Sequence, residues 1–290
     1  MREYVIYTDS CADFGNDLAQ ELGVQYRPLT FHLDGKDYAN WFDGREIGFS
    51  DFYNKLRDGG SSSTSQVNTN EFTEGFESIL KSGKDVLYLG FSSGLSGTVN
   101  SGRLAAEELA LQYPEAKIIV VDTLCASLGQ GLLVWHAMQM QKEGKSIDEV
   151  ADWAENNKLK LAHWFTVDDL YFLKRGGRLS GAAALLGTMM NIKPVLHVDD
   201  EGRLIAMEKV RGRRQSLDKL VEHMEKTAVN PEQQTIFISH GDCLADAEYV
   251  AEKIRDRFGV TKFHINFVGP VIGSHSGPGT IALFFFANQR

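Results

Sequence analysis

The sequence predicts an α/β protein of two domains, an N-terminal domain built on a parallel sheet and a C-terminal α+β domain with a mixed sheet. Three observations carry this prediction. In the first half, nearly continuous apolar runs alternate with helical segments: VLYLG (86–90), a helix, KIIVVDT (117–123), a helix. A strand buried on both faces reads as such a run, and strand–helix alternation is the signature of a parallel sheet. In the second half, KPVLHVD (193–199) and RLIAMEKV (203–210) flank the turn signal Asp200-Glu201-Gly202, which makes them antiparallel neighbours. Finally, 290 residues with 43% hydrophobic and 24% charged side chains suit two domains with sizeable cores. The polar stretch ENNKLK places the boundary, giving domains 1–160 and 161–290.

In order, YVIYTD (4–9) is an apolar strand and DLAQELGV (17–24) a helix with Gly23 near its end. VQYRPLTFHLDGKDY (24–38) holds two short strands around the hairpin signal Asp34-Gly35. FSDFYNKLRDGG (49–60) is a helix with Ser50 as its cap and two glycines behind it. SSSTSQVNTNEF (61–72) reads as a polar loop before the helix EFTEGFESILKSG (71–83). Helices follow at 100–114, 127–144 and 146–159, the last opened by Ser146 and Glu149 at capping-box spacing. In the second half, AHWFTV (162–167), TIFISHGD (235–242), TKFHINFV (261–268) and TIALFFFAN (280–288) are strands, with helices at 216–229 and 243–259.

The composition narrows function. A formal net charge of −9 argues against non-specific nucleic-acid binding, which needs clustered Lys and Arg. Three dispersed cysteines, Cys11, Cys125 and Cys243, have neither disulfide-framework nor zinc spacing, the pattern of reduced thiols. No apolar stretch approaches 18 residues and no signal-peptide core is visible, so a cytoplasmic chain without stable membrane insertion is expected.

Three strand ends carry loops rich in small donors: TDSCAD (8–13), STSQ (63–66) and SSGLSGT (92–98). Parallel sheets bind ligands beyond the carboxyl ends of their strands, where free helix N–H groups and hydroxyls converge. Such an array suits an anion, carboxylate or phosphate. Taken singly, Ser92, Ser93, Ser96 or Asp9 reads first as a helix cap; taken together, the three loops read as a site. The P-loop, the GxGxxG fingerprint and the GxSxG nucleophile elbow are all absent. Near the C-terminus GPVIGSHSGPGT (269–280) brackets His275 with glycines, read as a glycine-rich turn between strands whose histidine contacts a ligand. The stretch 179–198 offers flexible apolar side chains, Leu185, Leu186, Met189 and Met190, that suit an irregular cavity. LKRGGRLSG (173–181) and VRGRRQS (210–216) cluster arginines in an otherwise acidic chain, a surface for an acidic partner.

YTDS at the start, TSQ at 64–66, SSGLSGT, LKRGGRLSG, KPVL, EKVRGRR and GPVIGSHSGPGT, in this order and spacing, resemble the DegV family. Its members include the fatty-acid-binding subunits of bacterial fatty acid kinase, and the resemblance spans essentially the whole chain. It implies a three-layer N-terminal domain, a mixed-sheet second domain and one long-chain fatty acid at their interface. A partner kinase catalytic subunit would phosphorylate the bound carboxylate to an acyl phosphate. This chain would supply no catalysis, cofactor or metal site. The resemblance assigns the carboxylate to Thr64, Ser93 and His275, with Asp9, Ser10, Gly94, Ser96 and Gly277 in support. The acyl pocket falls to Leu185, Leu186, Met189 and Met190, and kinase docking to Arg175, Arg178, Arg211, Arg213 and Arg214. Two other readings stay open: a serine hydrolase or acyl transferase using Ser93 and His275, and a phosphate-ligand binding module.

Overall fold

A computed structural model describes residues 2–179 and 191–290. The first half runs β1 (Tyr4–Asp9), α1 (Asn16–Leu22), β2 (Gln25–Arg27), β3 (Thr30–Leu33), β4 (Lys36–Ala39), α2 (Phe49–Arg57), β5 (Ser62–Ser65), α3 (Thr69–Lys81), β6 (Asp85–Gly90), α4 (Thr98–Gln112), β7 (Ile118–Asp122), α5 (Leu128–Lys142) and α6 (Ile147–Asn157). The second runs β8 (Leu161–Thr166), α7 (Leu170–Gly176), β9 (Ile192–Val198), β10 (Leu204–Arg211), α8 (Arg213–Thr227), β11 (Thr235–His240), α9 (Leu244–Phe258), β12 (Lys262–Phe267), α10 (Pro270–Ser276) and β13 (Ile281–Phe286).

Strands before residue 123 form a four-stranded parallel sheet, order β2-β1-β6-β7, and a small antiparallel sheet, β4-β3-β5. Strands from residue 161 form a six-stranded mixed sheet, order β10-β9-β8-β13-β11-β12, whose one parallel pair is β11–β12. The fold is therefore α/β with a parallel and a mixed sheet. All six residues of β6 are buried because helices cover both faces of its sheet. Tyr7, Val86 and Tyr88 point to Phe72 and Phe76 of α3, while Ile6, Leu87 and Leu89 point to Leu132 and Leu133 of α5.

The mixed sheet repeats this alternation. Ala162, Trp164, Leu283 and Phe285 pack against α8 and α9, whereas Leu161, Phe165, Ala282 and Phe284 join α5 on the other face. One helix thus lies between the two sheets. That explains why the first two turns of α5, Leu128–Val134, are buried throughout rather than striped. Its glycines permit close approach: a Cβ at Gly129 would stand 2.2 Å from His163 Nε2, and one at Gly131 would stand 2.6 Å from the Ala12 carbonyl oxygen.

Three local expectations are corrected. The stretch 61–72 contains strand β5, hidden because its residues are all Ser and Thr and its pairing partner β3 is distant in sequence. The glycine-rich segment is not only a turn: α10 begins with Pro270, whose fixed φ and missing N–H suit a first helical turn. Ser50 does not cap α2, which starts after Gly48; its hydroxyl donates to Asp242 Oδ1 at 2.9 Å.

Seven histidines, His136, His163, His197, His223, His240, His264 and His275, are held below their ordinary pKa, in each case first by burial. His163 shows the geometry: Nδ1 donates to the Leu161 carbonyl and Nε2 accepts the Ala126 N–H, so only a neutral ring fits. Asp13 is opposite in sense, its buried carboxyl pushed up to about 8, chiefly by burial. As pH falls from the unfolded histidine value near 6.5 toward 4, the unfolded chain takes up protons that the folded chain refuses, so stability declines. As pH rises from 3.8 through 8, Asp13 ionises more readily unfolded, so its contribution is lost progressively across that window. The melting temperature should therefore peak between about pH 6 and 7. Asp13→Asn should remove this loss, so that its melting temperature gains on wild type as pH rises from about 4 to 8 and runs parallel to it above. Thermal denaturation across pH 4.5–9 measures both; a wild-type melting temperature that rises steadily toward pH 4.5 would contradict the burial of these rings.

Candidate functional site

One cavity of about 420 Å³ lies where the donor loops of the first half meet the mixed sheet, a size usual for a small-molecule site. Its wall is mostly apolar: Leu29, Phe91, Phe165, Val198, Leu204 and Phe284 contribute. Several of its polar groups follow one another in a chain of contacts. Thr64, on β5, has its Oγ1 2.8 Å from His275 Nε2, on α10. These elements run side by side, and Ser62 and Ser274 hydroxyls meet at 2.6 Å one step earlier. Gly176 approaches His275 so closely that a Cβ there would stand 2.1 Å from Nδ1. Arg178 follows, donating from Nη1 to the Gly176 carbonyl at 2.5 Å and from Nε to the Leu95 carbonyl at 3.3 Å. Ser96 and Gly97 come next and stand by Gln66, two residues from Thr64.

The electrostatics of these groups favour an anion. His275 is held down to about 4, by burial first and then by the charges of Arg178 and Arg175, so its ring is neutral at pH 7. Its Nδ1 has no hydrogen-bond partner among the described residues. A neutral imidazole keeps one N–H to donate, and the Arg178 guanidinium is always charged. Ser96 lies just before α4, where its hydroxyl accepts the Thr98 N–H at 3.3 Å and meets the Thr98 hydroxyl at 2.9 Å, while later first-turn N–H groups lack intrahelical partners.

Buried anchors decide which hydroxyl of SSGLSGT faces inward. Ser92 donates to the Gly202 carbonyl at 2.8 Å, and its N–H bonds to the Cys125 carbonyl. Ser93, assigned the carboxylate from sequence, is exposed, does not line the cavity, and donates its N–H to Asp122 Oδ1. Ser96, assigned only support, lines the cavity instead. The loop makes a turn after Ser92, with the Leu95 and Ser96 N–H groups bonding back to the Ser92 carbonyl. Gly94 faces the β9–β10 turn, where a Cβ would come within 2.6 Å of the Glu201 carbonyl oxygen.

Asp9 and Ser10 are structural rather than cavity-lining. Asp9 is fully buried and accepts from Cys11 N–H, Tyr88 Oη and Phe91 N–H. Ser10 accepts the Leu29 N–H. Gly277 packs on the Phe172 ring. The arginines divide as well. Arg213 pairs with Asp168 and Asp246, Arg214 lies over the Tyr249 ring, and Arg175 over Phe172. Arg211 is exposed, and Arg178, assigned to docking, lines the cavity. Leu185, Leu186, Met189 and Met190 lie outside the described residues. Sequence reasoning named the TSQ motif without giving Gln66 a role, and missed Ser127, His163 and Ser239 in the lining, which no motif marks. Among the described residues no group of His, Cys, Asp and Glu is arranged to hold a metal ion, and no helix is long and apolar enough to cross a membrane.

Residues 3–288 match the family model for uncharacterised proteins of the DegV family. A DegV domain-containing protein of Clostridium perfringens is 50% identical over 290 residues, covering 100% of this chain and 99% of its own. A DegV family protein of Thermus thermophilus, solved as a fatty-acid binder, is similar with a TM-score of 0.87 and 33% identity over 99% of this chain and 100% of its own. A Thermotoga maritima protein whose structure revealed a fatty acid binding function is similar at 0.84 and 28%, with the same coverage.

The loop geometry separates neighbouring substitutions. Gly94→Ala should force backbone movement against the β9–β10 turn and destabilise by about 1–3 kcal/mol. Ser93→Ala, on an exposed side chain, should stay within about 0.5 kcal/mol of wild type. Urea denaturation of the two variants compares them; equal stability would mean that the loop does not sit against Gly202.

Proposed function

We propose that this chain, which belongs to the DegV family, binds one long-chain fatty acid, with the carboxylate in the ring of Thr64, Ser96, Arg178 and His275 and the tail along the apolar wall. The single observation that carries the reading is this polar ring in a cavity whose wall is mostly apolar. A buried carboxylate needs charge-assisted hydrogen bonds to offset desolvation. Each buried methylene contributes roughly 0.8 kcal/mol, so a dozen yield on the order of 10 kcal/mol gross. Association and ordering take back roughly 4–15 kcal/mol. The tail therefore supplies affinity and the ring fixes orientation. A phosphate-ligand module would have no use for a wall of Phe, Leu and Val. A hydrolase pairing Ser93 with His275 lacks its nucleophile in the cavity lining.

The finer reading is presentation of the bound carboxylate to a fatty acid kinase catalytic subunit, with no catalytic step in this chain. It is supported by the motifs shared with family members that work in this way. The exposed Arg211 is the basic residue best suited to such a contact, because Arg213 and Arg214 already have intramolecular partners.

Fatty acid should copurify and be identified by mass spectrometry of denatured protein. Ser96→Ala should weaken fatty-acid binding by about 10- to 150-fold, the loss of one hydrogen bond to a charged group at roughly 1.5–3 kcal/mol. Ser93→Ala should leave affinity within about 2-fold, since its side chain points to solvent. Displacement of a fluorescent fatty acid measures both, and equal losses would remove the ring assigned here. In an assay coupled to the kinase, Arg211→Glu should slow acyl-phosphate formation and leave affinity unchanged. An unchanged rate, with no salt dependence in wild type, would remove this arginine from the encounter.

A further inference from the structure

The cavity wall carries a second polar group that a saturated hydrocarbon tail does not need. Ser127 immediately precedes α5, the position where a serine normally caps a helix by accepting one of its free N–H groups. Its hydroxyl makes no such bond. It lies 2.6 Å from Asp13 Oδ2 and 3.0 Å from Ser239 Oγ. Its backbone, at φ 53° and ψ −145°, occupies a region that strains any residue but glycine. Strain is thus retained while the ordinary gain of a cap is forgone. The result is a hydroxyl held against the cavity.

Ser239 and Ser127 both line that cavity. Ser239 pairs across the sheet with Ala282, and Ala282 with Phe165, so one row of the mixed sheet presents a hydroxyl, a methyl and a ring to the same space. Behind Ser127, Asp13 is 3% exposed, and its second oxygen, Oδ1, faces the Gly269 backbone with no hydrogen-bond partner among the described residues. His163, also in the lining, has both ring nitrogens committed to backbone.

We propose that Ser127 and Ser239, backed by Asp13, form a second polar station for the lipid, which receives a hydroxyl group carried along the acyl chain, so that the ligand class includes hydroxylated long-chain fatty acids. This inference rests on the fatty-acid reading of the cavity. The proton count fits a hydroxyl, which both donates and accepts. With Asp13 ionised, Ser127 gives its one proton to the carboxylate, and Ser239, no longer accepting from Ser127, has acceptor lone pairs for an incoming O–H. With Asp13 protonated, each proton shifts one step, and Ser239 donates to the ligand oxygen. Burial raises the Asp13 pKa to about 8, so both states are accessible near neutrality. In a wall without this station, a buried hydroxyl would be left unpaired and affinity would fall.

The test displaces a fluorescent fatty acid from delipidated full-length protein with stearic acid and with monohydroxystearic acids substituted at successive carbons. Wild type, Ser127→Gly and Ser239→Ala are compared; Ser127→Gly removes the hydroxyl and relieves the backbone strain but unpairs Asp13, whereas Ser239→Ala keeps the Ser127–Asp13 bond and so tests the station with that anchor intact. Wild type should bind stearic acid, tolerate a hydroxyl at one or two adjacent carbons within about 3-fold, and lose about 10-fold or more at other carbons. Both variants should keep stearic acid within about 2-fold and lose that one exception by about 10-fold. Stearic acid binding with every hydroxy isomer penalised alike in wild type and variants would overturn the station and leave the fatty-acid reading standing. Binding of none of these acids would overturn both.

Discussion

The constraint on which the rest of the structure depends is the burial of α5 between two sheets. The first two turns of this helix, Leu128–Val134, have no solvated face, and the parallel sheet and the mixed sheet both close on them. Leu132 and Leu133 meet Ile6, Leu87 and Leu89 on one side, and Phe165, Phe237 and Phe284 complete the same cluster on the other. This shared core brings the carboxyl ends of β1 and β6 to the face of β8 and β13. The cavity forms beside the first turn of α5, where Ala126 and Ser127 enter its wall.

Around that opening, buried polar groups serve as fixed points for loops that would otherwise be mobile. Asp9 gathers the Cys11 and Phe91 N–H groups and the Tyr88 hydroxyl, which ties the ends of β1 and β6 together. Desolvation pushes its pKa up, and these three donors oppose that push. Ser92 then tethers the next residues to the β9–β10 turn. With both anchors in place, the remaining residues of the loop have one inward side, and Ser96 is on it. The price of burying a carboxyl at Asp9 is thus met with loop geometry that a ligand can rely on.

The same economy separates the two polar groupings of the cavity. The ring of Thr64, His275, Arg178 and Ser96 draws on four elements far apart in sequence, and each contributes one side chain to a single locus. The Asp13–Ser127–Ser239 grouping is set in the junction of α5 with the mixed sheet. A neutral His275 between two guanidinium groups makes the ring receptive to negative charge, whereas the second grouping is uncharged when Asp13 holds its proton.

The sequence by itself determined the strands and helices with strong periodicity: the all-buried VLYLG run, the capping box at Ser146 and Glu149, and the hairpin around Asp200-Glu201-Gly202 are local signals that survive in the folded chain. It also marked Thr64, His275 and the SSGLSGT loop as unusual, because small donors and glycines cluster there. Only tertiary structure decided which members of those clusters share a site. β5 was illegible because Ser62–Ser65 has no apolar alternation and is a strand only through pairing with β3. Ser93 and Ser96 are chemically alike and three residues apart; a turn anchored at Ser92 by a carbonyl 110 residues away decides between them. Thr64 meets His275 across 211 residues, and Ser127 meets Asp13 across 114. Local sequence encodes backbone preference over a few residues, whereas the direction of a hydroxyl at a site is set by whatever distant group reaches it, and that is known only once the two sheets have closed on α5.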